Sequence, residues 1–257
     1  MSLNLDPRQR AMLLEMGVRV WQPKNACSPR NLNPSTGTVL ADARLPDSSV
    51  VPALKNMNEI RLMDWPAIRG SISVCQACAM GQGRTQSIAA DEALLGSAQL
   101  MVVGDLPDEN EERYGEPFAG PAGVLLDNML SSMGLNRKSR EDPSKFVYTS
   151  LAIKCRPGLI CVPAENDVKT CSNYLNREIE LVQPKVIVTM GSIAAQSLLS
   201  QSYPDTVGKP VGKLRGQVYK CGSVPVVVTY PLEYLLRTPL AKARAWEDLC
   251  LAWSVIT

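Results

Sequence analysis

Eight cysteines and no histidine limit the metal chemistry that this 257-residue chain can perform. Cys75 and Cys78 stand in the run CQAC, Cys155 follows in KCRP, and Cys171 lies in KTCSNYL. Two thiols separated by two residues can hold a metal from one tight turn, and four thiolates suit either Zn²⁺ or an iron–sulfur cluster. The spacing does not decide between these groups, and any two of Cys155, Cys161 and Cys171 would complete the site.

Two loops that follow apolar runs are the second place where chemistry is expected. Asp105 stands in VVGDLP, directly after one such run, and residues 229–239, TYPLEYLLRTP, follow another. Enzymes with parallel sheets place ligands in loops of this kind, at the carboxyl ends of the strands. Histidine-dependent acid–base chemistry is excluded because the chain has no histidine, and capping the following helix or turn is the simpler role for Asp105.

Apolar runs alternate with amphipathic patterns along most of the chain. The apolar runs at 99–104, 146–153, 185–191 and 224–230 predict strands, and the patterns at 121–134, 164–182, 192–200 and 239–253 predict helices. Continuous apolar strands that alternate with helices indicate a mostly parallel sheet covered on both faces. Cys250 falls on the apolar side of the last helix and is predicted to lie in the core.

The N-terminal part of the chain has a different character. Residues 1–21 predict a short helix, and residues 22–58 carry five prolines among many polar residues, which predicts a linker to a domain at 59–257. The helix and the residues just after it carry Leu13, Leu14, Met16 and Trp21. This apolar arm either folds back onto the domain or lies in a groove of a partner.

Composition limits the classes of protein to consider. The net charge is +2, the pI is about 8.1 and aromatic residues make up 5%, so neither a basic patch nor a stacking platform for nucleic acid is evident. No apolar run approaches the roughly 20 residues that span a membrane, and the N-terminus lacks the pattern of a signal peptide. We therefore expect a cytoplasmic protein without membrane contact, in which cysteines bind metal or remain buried thiols.

Four motifs together carry a specific resemblance. They are GEPFAGPAGVLLDNMLSSMGL (115–135), SLAIKCRP (150–157), CSNYLNREIELVQPKVIVTMGSIAAQSLL (171–199) and TYPLEYLLRTPLAKARAWEDL (229–249). With the CxxC pair, they resemble the uracil-DNA glycosylase superfamily over about 75–250, and most closely its iron–sulfur branch, family 4. The resemblance implies a three-layer α/β/α sandwich with a four-stranded parallel sheet, preceded by the flexible arm. It also implies a [4Fe–4S] cluster, with zinc as the alternative, on Cys75, Cys78, Cys155 and Cys171.

The same resemblance implies a changed active-site pocket. The family's water-orienting residue falls on Asp105 and its stacking phenylalanine on Phe118. The asparagine that reads uracil falls on Leu151, and the histidine that donates to the departing base falls on Pro231, so neither position keeps a side-chain donor. Such a donor is typically worth about 2.7–4 kcal/mol, and an unmade hydrogen bond costs roughly 1–3 kcal/mol more. This reasoning predicts a remnant pocket without catalytic residues, which would make the chain a pseudoenzyme.

Both ends of the chain carry a second resemblance. RAMLLEMGVRVWQPKNA (10–26) and LRTPLAKARAWEDLC (236–250) are similar to segments of the psi subunit of bacterial DNA polymerase III. The implied function is a non-catalytic replication subunit whose arm binds the clamp loader (gamma/tau) through Leu13, Leu14, Met16 and Trp21. Its domain would bind the chi subunit, reach single-stranded-DNA-binding protein indirectly, and contact DNA weakly or not at all. We expect this function, and the alternative is an active iron–sulfur uracil-DNA glycosylase with altered catalytic residues.

Overall fold

A computed structural model describes residues 57–81, 84–89, 98–138, 142–156 and 162–256. The predicted arm with Leu13, Leu14, Met16 and Trp21, nearly all of the predicted linker, and Cys161 lie outside these residues. The division of the chain into arm, linker and domain therefore stays a prediction. No helix in the described part combines the length and the apolar character needed to cross a membrane.

A single twisted sheet forms the middle layer of the described domain. Its strands are β1 (Leu100–Gly104), β2 (Val147–Leu151), β3 (Val186–Met190), β4 (Val218–Cys221) and β5 (Val224–Thr229), in the order β2-β1-β3-β5-β4. The four predicted strands are parallel to one another, as expected. The fifth, β4, pairs antiparallel with β5 at the edge, so the predicted count of four is one short.

Helices cover both faces of the sheet. They are α1 (Met57–Ile60), α2 (Trp65–Val74), α3 (Glu109–Tyr114), α4 (Gly120–Ser132), α5 (Glu165–Val182), α6 (Ser192–Leu199), α7 (Val211–Leu214), α8 (Leu232–Arg237) and α9 (Lys242–Ser254). The four predicted helices correspond to α4, α5, α6 and α9. The short helices α3 and α8 fall in the loops after β1 and β5, which are the loops expected to carry chemistry.

The core confirms the predicted three-layer sandwich. Along β1, Met101 and Val103 join the apolar cluster formed with α2, α5 and α6. Leu100 and Val102 join the opposite cluster, with α4, α8 and α9. This alternation follows from the two-residue period of a strand. Because both faces are covered, the strands are apolar throughout.

Two buried polar groups fix the carboxyl ends of the strands. Lys154, just after β2, places Nζ 2.8 and 2.9 Å from the carboxylate oxygens of Glu178 in α5, and both residues contact Ser150. Asp248 in α9 is fully buried and accepts hydrogen bonds from Thr229 Oγ1 at 2.8 Å and Arg215 Nε at 3.0 Å. The two groups tie the ends of β2 and β5 to helices on opposite faces, so the loops that follow start from fixed positions.

Candidate active site and thiol cluster

The carboxyl ends of the parallel strands form one row. The register pairs Gly104 with both Leu151 and Met190, and Met190 with Thr229. A cleft of about 340 Å³ opens at this row. The four pocket residues predicted from the sequence, Asp105, Phe118, Leu151 and Pro231, all line it. This is where open α/β sheets bind ligands.

The side chain of Asp105 contacts the N-terminus of α6 and not that of α3, the helix that follows Asp105 in the chain. Its Oδ1 accepts a hydrogen bond from the backbone N–H of Ala194 at 2.8 Å. Burial raises the pKa of Asp105 to about 6, although the backbone N–H groups of Ala194, Ile193 and Ser192 act in the opposite direction. The following helix, α3, is instead capped by Asp108, so the expected capping role of Asp105 is wrong. Asp105 is a half-buried carboxylate that lines the cleft, and its pKa lies well above the ordinary value for aspartate.

Glu111 is a cleft residue that sequence reasoning missed. Its side chain is buried and accepts hydrogen bonds from the backbone N–H of Phe118 at 2.6 Å and of Asp108 at 2.8 Å. Burial raises the pKa of Glu111 to about 7, and the charges of Asp108 and Glu233 add to the effect. The signal was present, since Asp108 and Glu111 have the three-residue spacing of a capping box.

Phe118 is held in a strained conformation at the base of the cleft. Its φ of 55° is uncommon for a residue other than glycine. Glu111 binds its N–H, and Arg137 Nη2 donates to its carbonyl oxygen at 3.1 Å. A Cβ on Gly104 would lie 2.9 Å from Cζ of Phe118 and 2.7 Å from Cδ2 of Leu151. The ring and the leucine therefore approach the same point at the end of β1, and the strain is maintained by specific contacts.

Pro231 begins the short helix that forms the far wall. Its carbonyl oxygen accepts hydrogen bonds from the N–H groups of Tyr234 at 3.1 Å and Leu235 at 3.2 Å. Leu235 is buried in the core, whereas Tyr234 and Leu236 are about two-fifths exposed at the rim. The side chain of Pro231 brings no hydrogen-bond donor to the cleft. The far wall is therefore apolar where the superfamily resemblance places a histidine.

The four predicted metal ligands line a single small cavity. Cys75 follows the last residue of α2, Cys78 precedes a 3₁₀ turn at Ala79–Gly81, Cys155 follows β2, and Cys171 lies in α5. The structure thus brings together thiols from three segments distant in sequence. Cys250, by contrast, is exposed on α9, and the prediction that it lies in the core is wrong.

The surroundings of these thiols are suited to thiolates held by a positive centre. Arg84 Nη1 lies 2.7 Å from Cys155 Sγ, and the N–H of Lys154 donates to Cys171 Sγ at 3.4 Å. Burial raises the pKa of Cys171 to about 12 and also raises that of Cys78 and Cys155. Such thiols ionise readily only when a metal supplies the compensating charge.

An α/β/α sandwich, a cleft at the carboxyl ends of its parallel strands and four cysteines around one cavity are the features that the sequence resemblance led us to expect. The model of the Uracil DNA glycosylase superfamily matches residues 94–250, and the chain belongs to this superfamily.

Three relatives are each named Type-4 uracil-DNA glycosylase. The one from Sulfurisphaera tokodaii is 32% identical over 184 residues, which cover 70% of this chain and 80% of the relative. The one from Thermotoga maritima is 31% identical over 190 residues, covering 72% and 91%. The one from Archaeoglobus fulgidus is 33% identical over 155 residues, covering 59% and 73%.

These matches correct the functional expectation drawn from the sequence. The relatives are glycosylases, so the prediction of a non-catalytic polymerase III psi-like subunit is wrong, as is the prediction of a pseudoenzyme. The predicted partners, the gamma/tau clamp loader, the chi subunit and single-stranded-DNA-binding protein, are withdrawn with it, as is the expectation of weak or no DNA contact.

The error has a physical origin. The C-terminal segment taken as psi-like, 236–250, covers the end of α8 and most of α9, and its buried Asp248 has a structural role there. The pseudoenzyme argument counted the donors lost at Leu151 and Pro231 as the whole of catalysis. It gave too little weight to the carboxylate that is kept at Asp105 and to the cleft around it.

Proposed function

We propose that this chain is an iron–sulfur DNA glycosylase of the type-4 class that releases uracil from DNA with an altered set of catalytic residues. The half-buried carboxylate of Asp105, in the cleft at the carboxyl ends of β1, β2, β3 and β5, carries the proposal. The names of its relatives support the reaction class, and the position of Phe118 beside Gly104 supports binding of a planar base.

Asp105 is assigned to the deoxyribose side of the reaction. An enzyme that acts on a base in DNA must take it out of the helix, and Phe118 offers an aromatic surface for the extruded base. As the bond between C1′ and the base nitrogen breaks, its electron pair leaves with the base and positive charge develops on the sugar. The Asp105 carboxylate stabilises that charge and accepts a proton from the water that adds to C1′.

The cleft offers the departing base fewer hydrogen-bond donors than the family resemblance implies. Leu151 and Pro231 cannot donate hydrogen bonds to it, and the cation among the described lining residues is Arg237. We therefore expect slower uracil release than a cleft with an asparagine and a histidine would give. A lost donor of this kind typically lowers the rate by about 10²–10³-fold.

The thiols of Cys75, Cys78, Cys155 and Cys171 would hold the [4Fe–4S] cluster. A donor set made of four cysteine thiols is the usual one for such a cluster, and zinc is the alternative. When bound, the cluster supplies a covalent link between α2, the end of β2 and α5. We also propose a cytoplasmic location, which the free thiols of the described cysteines support.

The test is base release from oligonucleotides with one uracil, single- and double-stranded, by the anaerobically purified protein. We expect turnover that is lost when Asp105→Asn is introduced. Glu165→Gln is the matched control, since Glu165 lies on the exposed start of α5 and pairs only with Lys169. No release by a folded, iron-loaded protein would refute the proposal.

A further inference from the structure

Building on the proposed glycosylase function, we propose that the cleft also accepts purine bases made cationic by N-alkylation and releases them from DNA. The inference concerns the same site but a different class of base. Its grounds are the sign of the charge in the cleft and the apolar character of the walls that face the base.

Carboxyl groups dominate the charge of the cleft. Asp105, Asp108, Glu111 and Glu233 line it, and Arg237 is the one cation among the described lining residues. Burial is the largest cause of the raised pKa values of Asp105 and Glu111, and the negative charge of Glu233 is a smaller cause for both. Glu233 therefore lies close enough to interact electrostatically with both carboxyl groups. A cationic base is attracted into such a site. A base that leaves as an anion is repelled by it.

The walls that would face an extruded base are apolar, so they provide van der Waals contact and no side-chain hydrogen bonds. Phe118, Leu151, Met190 and Pro231 line the cleft, and none of their side chains has a donor. An aromatic face attracts a cation placed over it, and the attraction grows when water is excluded. The strained backbone of Phe118 is held by Glu111 and Arg137, so the Cα from which the ring extends is fixed before any base enters.

The chemical step suits this arrangement. When the C1′–N bond of an N-alkylated purine breaks, its electron pair neutralises the positive charge of the base, so the leaving group needs no donor. The positive charge passes to the sugar, beside Asp105. Water adds its oxygen to C1′ and gives its proton to Asp105, which returns the proton to solvent. The absence of hydrogen-bond donors at Leu151 and Pro231 then does not slow the release of the base.

The experiment compares two duplexes of identical sequence, one with a single N7-methylguanine and one with a single uracil. We expect the protein to release methylguanine at least tenfold faster than the spontaneous loss measured without protein. Glu233→Gln should lower methylguanine release about fivefold at low salt, and the difference should shrink at high salt because exposed charges are screened. Uracil release by the same variant should rise. Glu165→Gln should resemble the parent chain with both duplexes.

The outcomes separate the two proposals. If the protein releases uracil but methylguanine is lost only at the spontaneous rate, this inference is overturned and the proposed function stands. Methylguanine release that Glu233→Gln does not weaken would overturn the electrostatic basis of the inference. Neither base released by protein that retains its iron and its circular dichroism spectrum would overturn both.

Discussion

The carboxylate of Asp105 fills the space that a side chain at Gly191 would occupy. A Cβ atom at Gly191 would overlap both carboxylate oxygens, and the φ of Gly191 is 129°. The turn between β3 and α6 therefore needs glycine for two reasons, a backbone conformation and a close approach. It is this close approach that lets the N–H groups at the start of α6 reach Asp105.

Gly191→Ala should displace Asp105 and lower base release by two orders of magnitude or more, with a loss of roughly 1–3 kcal/mol in the free energy of unfolding. Gly208→Ala is the matched control, because Gly208 also has a positive φ of 75° but has no atom within 4 Å of the added Cβ. It should lose stability from backbone strain while retaining activity. Equal loss of activity in both variants would argue against the close approach as the cause.

Base release should increase with pH and level off above about pH 6, since Asp105 must be ionised to act and its pKa is about 6. The stability should change in the opposite direction. A carboxyl whose pKa is raised on folding holds its proton in the folded state after the unfolded chain has lost it, so the folded state weakens as pH rises. For Asp105 and Glu111 this window runs from about pH 4 to about pH 7.

Asp105→Asn separates these two effects. It should abolish base release, and it should raise the free energy of unfolding at pH 7 by about 1 kcal/mol, because an amide carries no charge that burial disfavours. Chemical denaturation at pH 4 and pH 7 measures the difference. A variant less stable than the parent at pH 7 would contradict the raised pKa.

Cys171→Ser should lose the iron content and the sulfur-to-iron absorption of the purified protein. It should also unfold at lower denaturant concentration, because the link between α5 and the end of β2 is lost. Cys250→Ser is the control, since Cys250 is exposed on α9 and should keep both signals. Zinc at one equivalent in the parent protein, with no iron, would show that the assignment to an iron–sulfur cluster is wrong.

Leu151→Asn places an amide at the position where the superfamily resemblance puts the residue that reads uracil. We expect uracil release to increase by about tenfold, the effect of one recovered hydrogen bond of roughly 1.4 kcal/mol. The Cδ2 atom of Leu151 packs near Gly104, so a small loss of stability should accompany the gain. Leu151→Met keeps the apolar volume and should leave uracil release unchanged. No difference between the two variants would show that residue 151 does not contact the base.

The sequence predicted the elements that are buried and regular. The four parallel strands and helices α4, α5, α6 and α9 were found because burial on both faces demands continuous apolar runs. The edge strand β4 was missed since its side chains are partly exposed and it pairs on only one side. Helices α3 and α8 have six residues each, too few for a visible period, and the run DENEE at the start of α3 looks like a solvated acidic stretch.

The site was predicted in its parts but not in its function. The resemblance to the glycosylase motifs located the four thiols and the four pocket residues, and the structure brings each set together. It did not predict that Glu111 is buried, because burial of a carboxylate depends on backbone N–H groups from Phe118 and Asp108 that only the folded chain supplies. The absence of donors at Leu151 and Pro231 also does not show whether Asp105 and the rest of the cleft still support catalysis. The prediction of lost catalysis was wrong for this reason.

The order of the cysteines along the chain bears on how the protein is made. Cys75, Cys78, Cys155 and Cys171 all precede β3, whereas Met190 and Pro231, which line the cleft, are translated later. A bacterial-type rate of roughly 5–20 residues per second leaves seconds between the two events. All four thiols proposed to hold the cluster are therefore available on a nascent chain before the cleft is complete.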